Sequence, residues 1–328
     1  MTSTSGQGAE PILLAFSGGL DTSFCVPWLK DTYQRPVITV TVDTGGIDAS
    51  AAKSLAERSV LLGAIEHHLI DARAAYFDQV LKFLIMGNVR RGNVYPLCVG
   101  AERVLQAQTI AQMALSLKTK MVAHGCTAAG NDQVRFEVAL RTLAPELEII
   151  APVRDRAFKR PEQLQYLQDH KLPVPPFGAA YSINRGLWGV TIGGKETLTS
   201  QGSIPDEAWV LSKDAFTNPR APQRHALGFL HGVPDSLDGE RLSAVAVIEK
   251  LETLAGPYGI GRGIHLGDTV IGTKGRVAFE APAPQRDCGE DHQEHEQRPE
   301  ADHQMIAVVE EPDVVGALVR RELVEAGD

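Results

Sequence analysis

The sequence predicts an α/β protein in which a parallel-sheet domain is followed by a smaller α+β domain. Three observations carry that prediction. Over the first half of the 328 residues, short apolar or β-branched runs alternate with helical patterns, as strands alternate with crossover helices. The first such unit, Pro11–Asp31, passes from strand to helix through Ser17-Gly18-Gly19. Pro173–Pro176 (PVPP) then breaks the chain, and short segments with glycine turns replace the alternation. The divisions expected are 1–10, 11–172, 173–283 and 284–328.

Ile12–Phe16 is an apolar run of strand length. After the glycine turn, Leu20, Cys25, Val26, Trp28 and Leu29 recur at helical spacing, with Asp21, Thr22 and Ser23 in the first turn. Strand, glycine turn and hydroxyl-rich helix start make a phosphate or pyrophosphate cradle. Gly18 and Gly19 let backbone N–H groups approach an anion, Ser17, Thr22 and Ser23 add hydroxyl donors, and the helix N-terminus adds partial positive charge. No lysine follows, which excludes the GxxxxGKS phosphate loop. Val37–Val42 reads as a second strand ending in the turn Asp43-Thr44-Gly45-Gly46, Ala51–Leu62 as a helix and Ile65–Ile70 as a third strand. His67 and His68 are adjacent on that strand, so they face opposite sides and take solvated or packed roles rather than share a metal.

Ala74–Met86 reads as a helix, and Tyr95-Pro96-Leu97 as a rigid turn that could aim a phenol into a cleft. Glu102–Leu117 is a long amphipathic helix and Lys120–His124 a buried strand. That strand leads into Gly125–Arg135 (GCTAAGNDQVR), which repeats the first logic: strand, small residues, then a helix opening with Asn131, Asp132, Gln133 and Arg135. Asn131 and Asp132 at a helix start serve equally as N-caps or as ligands. The first constellation lies on the same sheet edge, and that favours ligands. Glu148–Val153 reads as the last strand of the sheet and Pro161–His170 as a helix. Beyond the proline break, Leu187–Ile192, Ala226–Leu230, Thr269–Ile271 and Val277–Glu280 read as strands and Ala246–Ala255 as a helix.

Composition is ordinary, 43% hydrophobic and 22% charged with a mean hydropathy of −0.10, and no apolar run reaches membrane length. The first residues, MTSTSGQGAEP, lack the basic and apolar regions of a signal peptide and read as a disordered leader. Cys25, Cys98, Cys126 and Cys288 show no paired spacing, which points to a reduced, cytoplasmic setting. Gln285–Asp328 holds 13 acids against 4 basic residues, a net of −9 that equals the charge of the whole chain. The rest is neutral, without the basic face that a nucleic-acid binder needs. The polar stretch from Pro282 reads as a disordered linker, and its irregularly spaced Cys288, His292, His295 and His303 do not suggest a metal site. Met305–Val309 and Val314–Leu323 read as a short strand and a helix.

Ala15–Ser23 (AFSGGLDTS) resembles the pyrophosphate loop of the N-type ATP pyrophosphatases, and more closely that of the argininosuccinate synthase family. The likeness extends to Tyr95-Pro96-Leu97, His124–Glu137 (HGCTAAGNDQVRFE), Ile149–Asp155 (IIAPVRD), Tyr181–Asn184 (YSIN) and Gly259–Pro282, covering Ile12 to about Ala283. The resemblance implies an adenine-nucleotide α-hydrolase-like (HUP) domain over 11–172 and an acceptor-binding synthetase domain over 173–283. It implies condensation of citrulline with aspartate, using ATP and Mg²⁺, through a citrullyl-adenylate. Carried over by motif, Ala15, Phe16, Ser17, Gly18, Gly19, Leu20, Asp21, Thr22, Ser23, Val42 and Gly125 would hold ATP. Thr127, Asn131 and Asp132 would hold aspartate; Tyr95, Asn131, Arg135, Ser182 and Thr191 would hold citrulline. Ser17, Asp21 and Asp132 would stand at the chemistry.

Departures from the family pattern fall in the acceptor pocket, at Gly100 and Arg185, so a citrulline-like ureido acceptor from a specialised pathway rivals citrulline. Gly100 stands where a citrulline-contacting serine is usual, Arg185 where an acid is usual, Gly267 for a glutamate and Phe279 for a tyrosine. The family's C-terminal tetramer-forming part is not recognisable after Ala283, where the acidic tail begins, so a dimer or monomer is expected, with a tail that could bind a partner. Two other function classes compete. A tRNA-thiolating enzyme would need a catalytic cysteine pair and a basic face, and a truncated paralogue would bind nucleotide without turnover.

Overall fold

The computed structural model describes residues 9–128, 130–175, 181–199, 201–218, 220–269, 272–287, 304–309 and 321–322. The chain divides into two compact units, one of residues 1–72, 102–179 and 269–272, the other of residues 73–101, 180–268 and 273–328.

In the first unit, β1 (Ile12–Ala15), β2 (Val37–Asp43), β3 (Glu66–Asp71), β4 (Met121–His124) and β5 (Glu148–Ile150) form one sheet in the order β3-β2-β1-β4-β5. Every pairing is parallel. Its helices are α1 (Leu20–Tyr33), α2 (Ala49–Leu61), α3 (Glu102–Ser116), α4 (Asp132–Leu143) and α5 (Arg160–Asp169). All seven residues of β2 are buried, which is why the strand reads VITVTVD: with both faces covered, β-branched residues run without alternation. Its threonine hydroxyls are bonded rather than stranded. Thr39 Oγ1 pairs with His67 Nδ1 at 2.9 Å, and Thr41 Oγ1 donates to the Phe16 carbonyl at 2.5 Å. Ile12, Leu14, Phe16, Phe24, Leu29 and Leu167 lie in one core cluster, each burial contributing about 1.5–3 kcal/mol.

Ala15 stands opposite both Val40 and His124, so β1 is flanked by β2 and β4. The chain order reverses between β1 and β4, and the loops leaving their carboxyl ends start side by side. In open parallel sheets ligands bind at such a point. Two elements differ from expectation. The strand expected over Glu148–Val153 stops at Ile150, because Pro152 lacks a ladder N–H and opens a helical turn over Pro152–Asp155. The helix expected over Ala74–Met86 is α-helical at Arg73–Tyr76 and Lys82–Met86, with a π-helical segment, Phe77–Leu81, between them, and it belongs to the second unit.

The second unit is antiparallel in its strands. Apart from Thr269 and Gly272, which fall in the first unit, it contains β6 (Ser182–Gly186), β7 (Gly189–Gly193), β8 (Gln223–Leu230), β9 (Val233–Leu237), β10 (Glu240–Arg241), helix α6 (Ala244–Ala255), β11 (Arg262–Thr269), β12 (Gly272–Glu280), β13 (Gln304–Val309) and β14 (Arg321–Glu322). One sheet runs β11-β12-β7-β6, the other β10-β9-β8-β13-β14. Gly189, at φ +119°, turns the β6–β7 hairpin where a Cβ would collide with the Glu280 carbonyl. Glu280 is fully buried and accepts the N–H groups of Val210, Leu211 and Ser212 at 2.7, 3.1 and 2.8 Å.

Gln304–Val309 pairs antiparallel with β8 over six residues, in the place where a short strand was expected. Of the helix expected over Val314–Leu323, Arg321–Glu322 pairs as a strand and residues 314–320 and 323 lie outside the described residues. Pro282–Asp287 is helical rather than linker, its start anchored by buried Ala281 and Ala283. Of the strand expected at Thr269–Ile271, Thr269 ends β11, and residues 270 and 271 lie outside the described residues. The leader through residue 8 and the expected linker with Cys288, His292, His295 and His303 also lie outside the described residues. No helix among the described residues is long and apolar enough to cross a membrane.

Candidate active site

The first constellation leaves β1 as a turn held on several sides. Gly18 has φ +73°, and a Cβ there would collide with the Leu55 side chain. Its carbonyl accepts Arg58 Nη1 at 2.7 Å and the buried Ser23 hydroxyl at 3.5 Å. Across a trans peptide the C=O and N–H point in opposite directions, so fixing the Gly18 carbonyl also aims the Gly19 N–H. Ser17 Oγ lies 3.4 Å from that N–H and 3.2 Å from Thr22 Oγ1. Gly19 sits at the N-cap of α1 with no side-chain capping bond. The first turn of α1 therefore offers backbone donors and its dipole to an anion. Asp21, in that turn, accepts Gln163 Nε2 at 2.9 Å from α5, where Gln163 is 1% exposed. Ala15 ends β1 and the buried Val42 lies near the end of β2.

The second constellation leaves β4. An added Cβ on Gly125 would stand 2.9 Å from Thr22 Cγ2 and 3.1 Å from the Thr22 nitrogen, so this glycine lets the two loops close on each other. Thr127 follows, its carbonyl accepting the Gly130 N–H at 3.4 Å. Asn131 occupies the N-cap position of α4, yet its side chain makes no capping bond. Asp132, at the first helical position, is held between two guanidinium groups: Arg103 Nε at 3.2 Å on Oδ2 and Arg135 Nη1 at 2.9 Å on Oδ1. These are charge-assisted contacts that set a carboxylate's orientation rather than cap a helix.

Behind these loops burial sets the ionisation of the inner groups, while Ser17, Gly19 and Thr127 stay exposed. Burial, with the Arg154 guanidinium adding to it, holds His124 down to about 4, so the ring is neutral; its Nδ1 accepts the Cys126 N–H at 3.3 Å. Burial, with Asp132 next, pushes the Cys126 thiol up to about 12, and burial raises Cys25 as well. Neither is a ready thiolate, which argues against cysteine-based sulfur transfer. Burial also raises Glu102 against the pull of Arg103 and of its bond to Thr44. Among the described residues no group of three or more His, Cys, Asp or Glu is placed to hold a metal ion. His67 packs edge-on to Phe16, and His68 pairs with Glu66 at 3.0 Å.

The residues expected to hold the acceptor divide between the units. Asn131 and Arg135 belong to the first; Tyr95, Ser182 and Thr191 belong to the second. Within the second, Thr191 of β7 stands in register with Asn184 and Phe279, and Ser182 with Gly193. Tyr95 is 7% exposed, stacks on His265 with ring centroids 4.1 Å apart, and its phenol oxygen accepts the Val99 N–H at 3.5 Å. Arg185 pairs with Glu252 of α6 at 3.1 Å, so its charge is already answered inside that unit. Sequence reasoning missed Arg58, Gln163, Glu102 and Arg103. Arg58 and Gln163 reach the first loop from 40 and 142 residues away, with no local signal at either end.

Comparison with known proteins matches residues 11–173 to the arginosuccinate synthase N-terminal HUP domain and residues 181–297 to the arginosuccinate synthase C-terminal domain. The second match continues past Ala283. Relatives named argininosuccinate synthase include that of Dictyoglomus thermophilum, 39% identical over 84% of this chain and 68% of its own length. That of Pyrobaculum aerophilum is 37% identical over 84% and 69%, and that of Xanthomonas campestris pv. campestris 38% identical over 84% and 70%.

Proposed function

The chain belongs to the argininosuccinate synthase family, and from that premise we propose that it is an ATP-dependent ligase joining aspartate to citrulline, or to a citrulline-like ureido acceptor, through an adenylated intermediate. The observation that carries this reading is the pairing of β1 with β4. It sets an uncapped, glycine-turned helix start beside a carboxylate flanked by two arginines, with Gly125 closing one loop onto the other.

The chemistry follows from those parts. A ureido oxygen leaves poorly; attack of that oxygen on the α-phosphorus of ATP breaks the α–β bridge and expels pyrophosphate. The first-turn N–H groups of α1 and the Ser17 and Thr22 hydroxyls are donors for the departing charge, where losing one donor typically costs about 10²–10³ in rate. The aspartate amine then attacks the ureido carbon, forming the C–N bond, releasing AMP and losing a proton. Thr127, Asn131 and Asp132 would receive the aspartate, and Arg135 would take a carboxylate of the acceptor. Most of the acceleration comes from holding amine and activated carbon together. Mg²⁺ would arrive on the phosphates, with Asp21 or Asp132 as its protein contact. Among the described residues no three such groups gather to hold an ion by themselves, and Mg²⁺ carried by phosphate and water would neutralise phosphate charge when bound.

Pyrophosphate release tests the reading directly. ATP with citrulline should support ATP–pyrophosphate exchange without aspartate, and adding aspartate should yield the coupled product and AMP. Exchange with no ureido acceptor tried would sink it. Gly100 keeps a citrulline-like acceptor within the reading; Arg185, committed to Glu252, no longer argues for one.

A further inference from the structure

The carboxylate of Glu102 is 2% exposed in the first turn of α3. Its Oε2 accepts the Thr44 hydroxyl at 2.6 Å and its Oε1 accepts Arg103 Nη1 at 2.8 Å. The same Nη1 donates to Gln106 Oε1 at 2.8 Å, and Gln106 Nε2 reaches Thr44 Oγ1 at 3.3 Å. Arg103 Nε, on the other edge of the guanidinium, meets Asp132 Oδ2 at 3.2 Å. A buried ion pair is a poor source of stability, since desolvation offsets most of the attraction and an apolar residue would pack as well. What it supplies is direction. A planar guanidinium fixed along one edge by Glu102 and Gln106 has its Nε edge aimed at one place.

We propose that Glu102 is a positioning residue for the amine donor. It touches no substrate; it fixes Arg103, and Arg103 together with Arg135 sets the rotamer of Asp132 that receives the aspartate amine. Thr44 ties this relay to the turn that follows β2. The inference rests on the reading of Asp132 as an aspartate contact.

The test varies aspartate at saturating ATP and citrulline. Glu102→Gln keeps the volume and the Thr44 bond but removes the charge facing Arg103. It should raise the aspartate KM about five- to tenfold, within the range by which coupled residues modulate a site. Calorimetric ATP affinity should stay within about twofold of the parent. On an Asp132→Asn background the same change should have no further effect, the mark of one residue acting through another. A merely structural role would instead lower Tm, move ATP and aspartate together, and persist on that background. Should Glu102→Gln fail to fold, Thr44→Val removes one tie at constant volume and should give a smaller shift in the same direction. An unchanged aspartate KM in the folded Glu102 or Thr44 variant, while Asp132→Asn raises it, overturns the proposal alone. Unchanged aspartate use in Asp132→Asn overturns the amine-donor reading and the proposal with it.

Discussion

Gly18 and Gly19 stand next to each other and do different work. Gly18 needs its positive φ and has no room for a Cβ, so replacing it disturbs the turn itself. Gly19 has φ −74° and ψ 174°, a conformation open to any residue, and a Cβ there would meet only Ser17 Oγ at 3.5 Å. Gly19→Val should therefore fold with a Tm near the parent's yet lose at least about a hundredfold in ATP affinity, because the branched side chain covers the N–H groups an anion must reach. Calorimetry showing parental ATP affinity would remove the cradle assignment. His124 gives a second residue-scale prediction. Its folded pKa, about 4, lies below the ordinary 6.5, so below pH 6.5 the unfolded chain binds the proton more readily. Its contribution is complete above pH 6.5 and is lost as pH falls toward 4, by about 3 kcal/mol in all. Urea midpoints between pH 7 and 4.5 should slope less in His124→Gln than in the parent; coincident slopes would refute it. The SGG turn was legible in the sequence because strand, turn and helix are contiguous. Arg58 was not, since nothing in an alanine-rich helix says that one guanidinium will hold a carbonyl 40 residues back.

Elements buried on both faces were the easiest to read. β1, β2 and β4 are continuous apolar or β-branched runs, and the parallel order follows from the helices between them. The second unit was harder: β9 carries Pro234 and β8 contains Gly228, so alternation is broken where the strands pair. That Arg73–Ala101 clusters with the second unit depends on long-range packing that local pattern does not encode. One long-range device there has a measurable consequence. Glu280 ends β12 with its carboxylate taken by three backbone N–H groups and, at 2.5 Å, the Ser212 hydroxyl, while Arg262 spans Ser212 and Asp206 and stacks between Trp209 and Phe216. Glu280→Ala strands those buried donors, which together should cost about 3 kcal/mol or more. Differential scanning calorimetry on the full chain should show the loss, whereas a Tm within a degree of the parent would mean that the 209–212 segment finds other acceptors.

At the scale of the whole chain, charge is the property least evenly spread. Residues before Gln285 sum to zero, and the final 44 carry the entire −9. Within that segment the strand Gln304–Val309, paired with β8, carries no charge, so all 13 acids lie to either side of it. Copies that approach with these segments near each other repel over roughly a Debye length, about 10 Å at 0.1 M salt. A neutral remainder has no net charge to offset the repulsion. The expected assembly is accordingly a monomer or dimer, with any dimer fraction rising as salt is added and the repulsion is screened. Multi-angle light scattering from 20 to 500 mM salt would follow it, and neutralising Glu310, Glu311 and Asp313 to the amides should shift the same equilibrium toward dimer at low salt. A tetramer stable at the lowest salt, with a mass indifferent to both salt and those substitutions, would show that the contacts between copies lie away from the acidic segment and outweigh it.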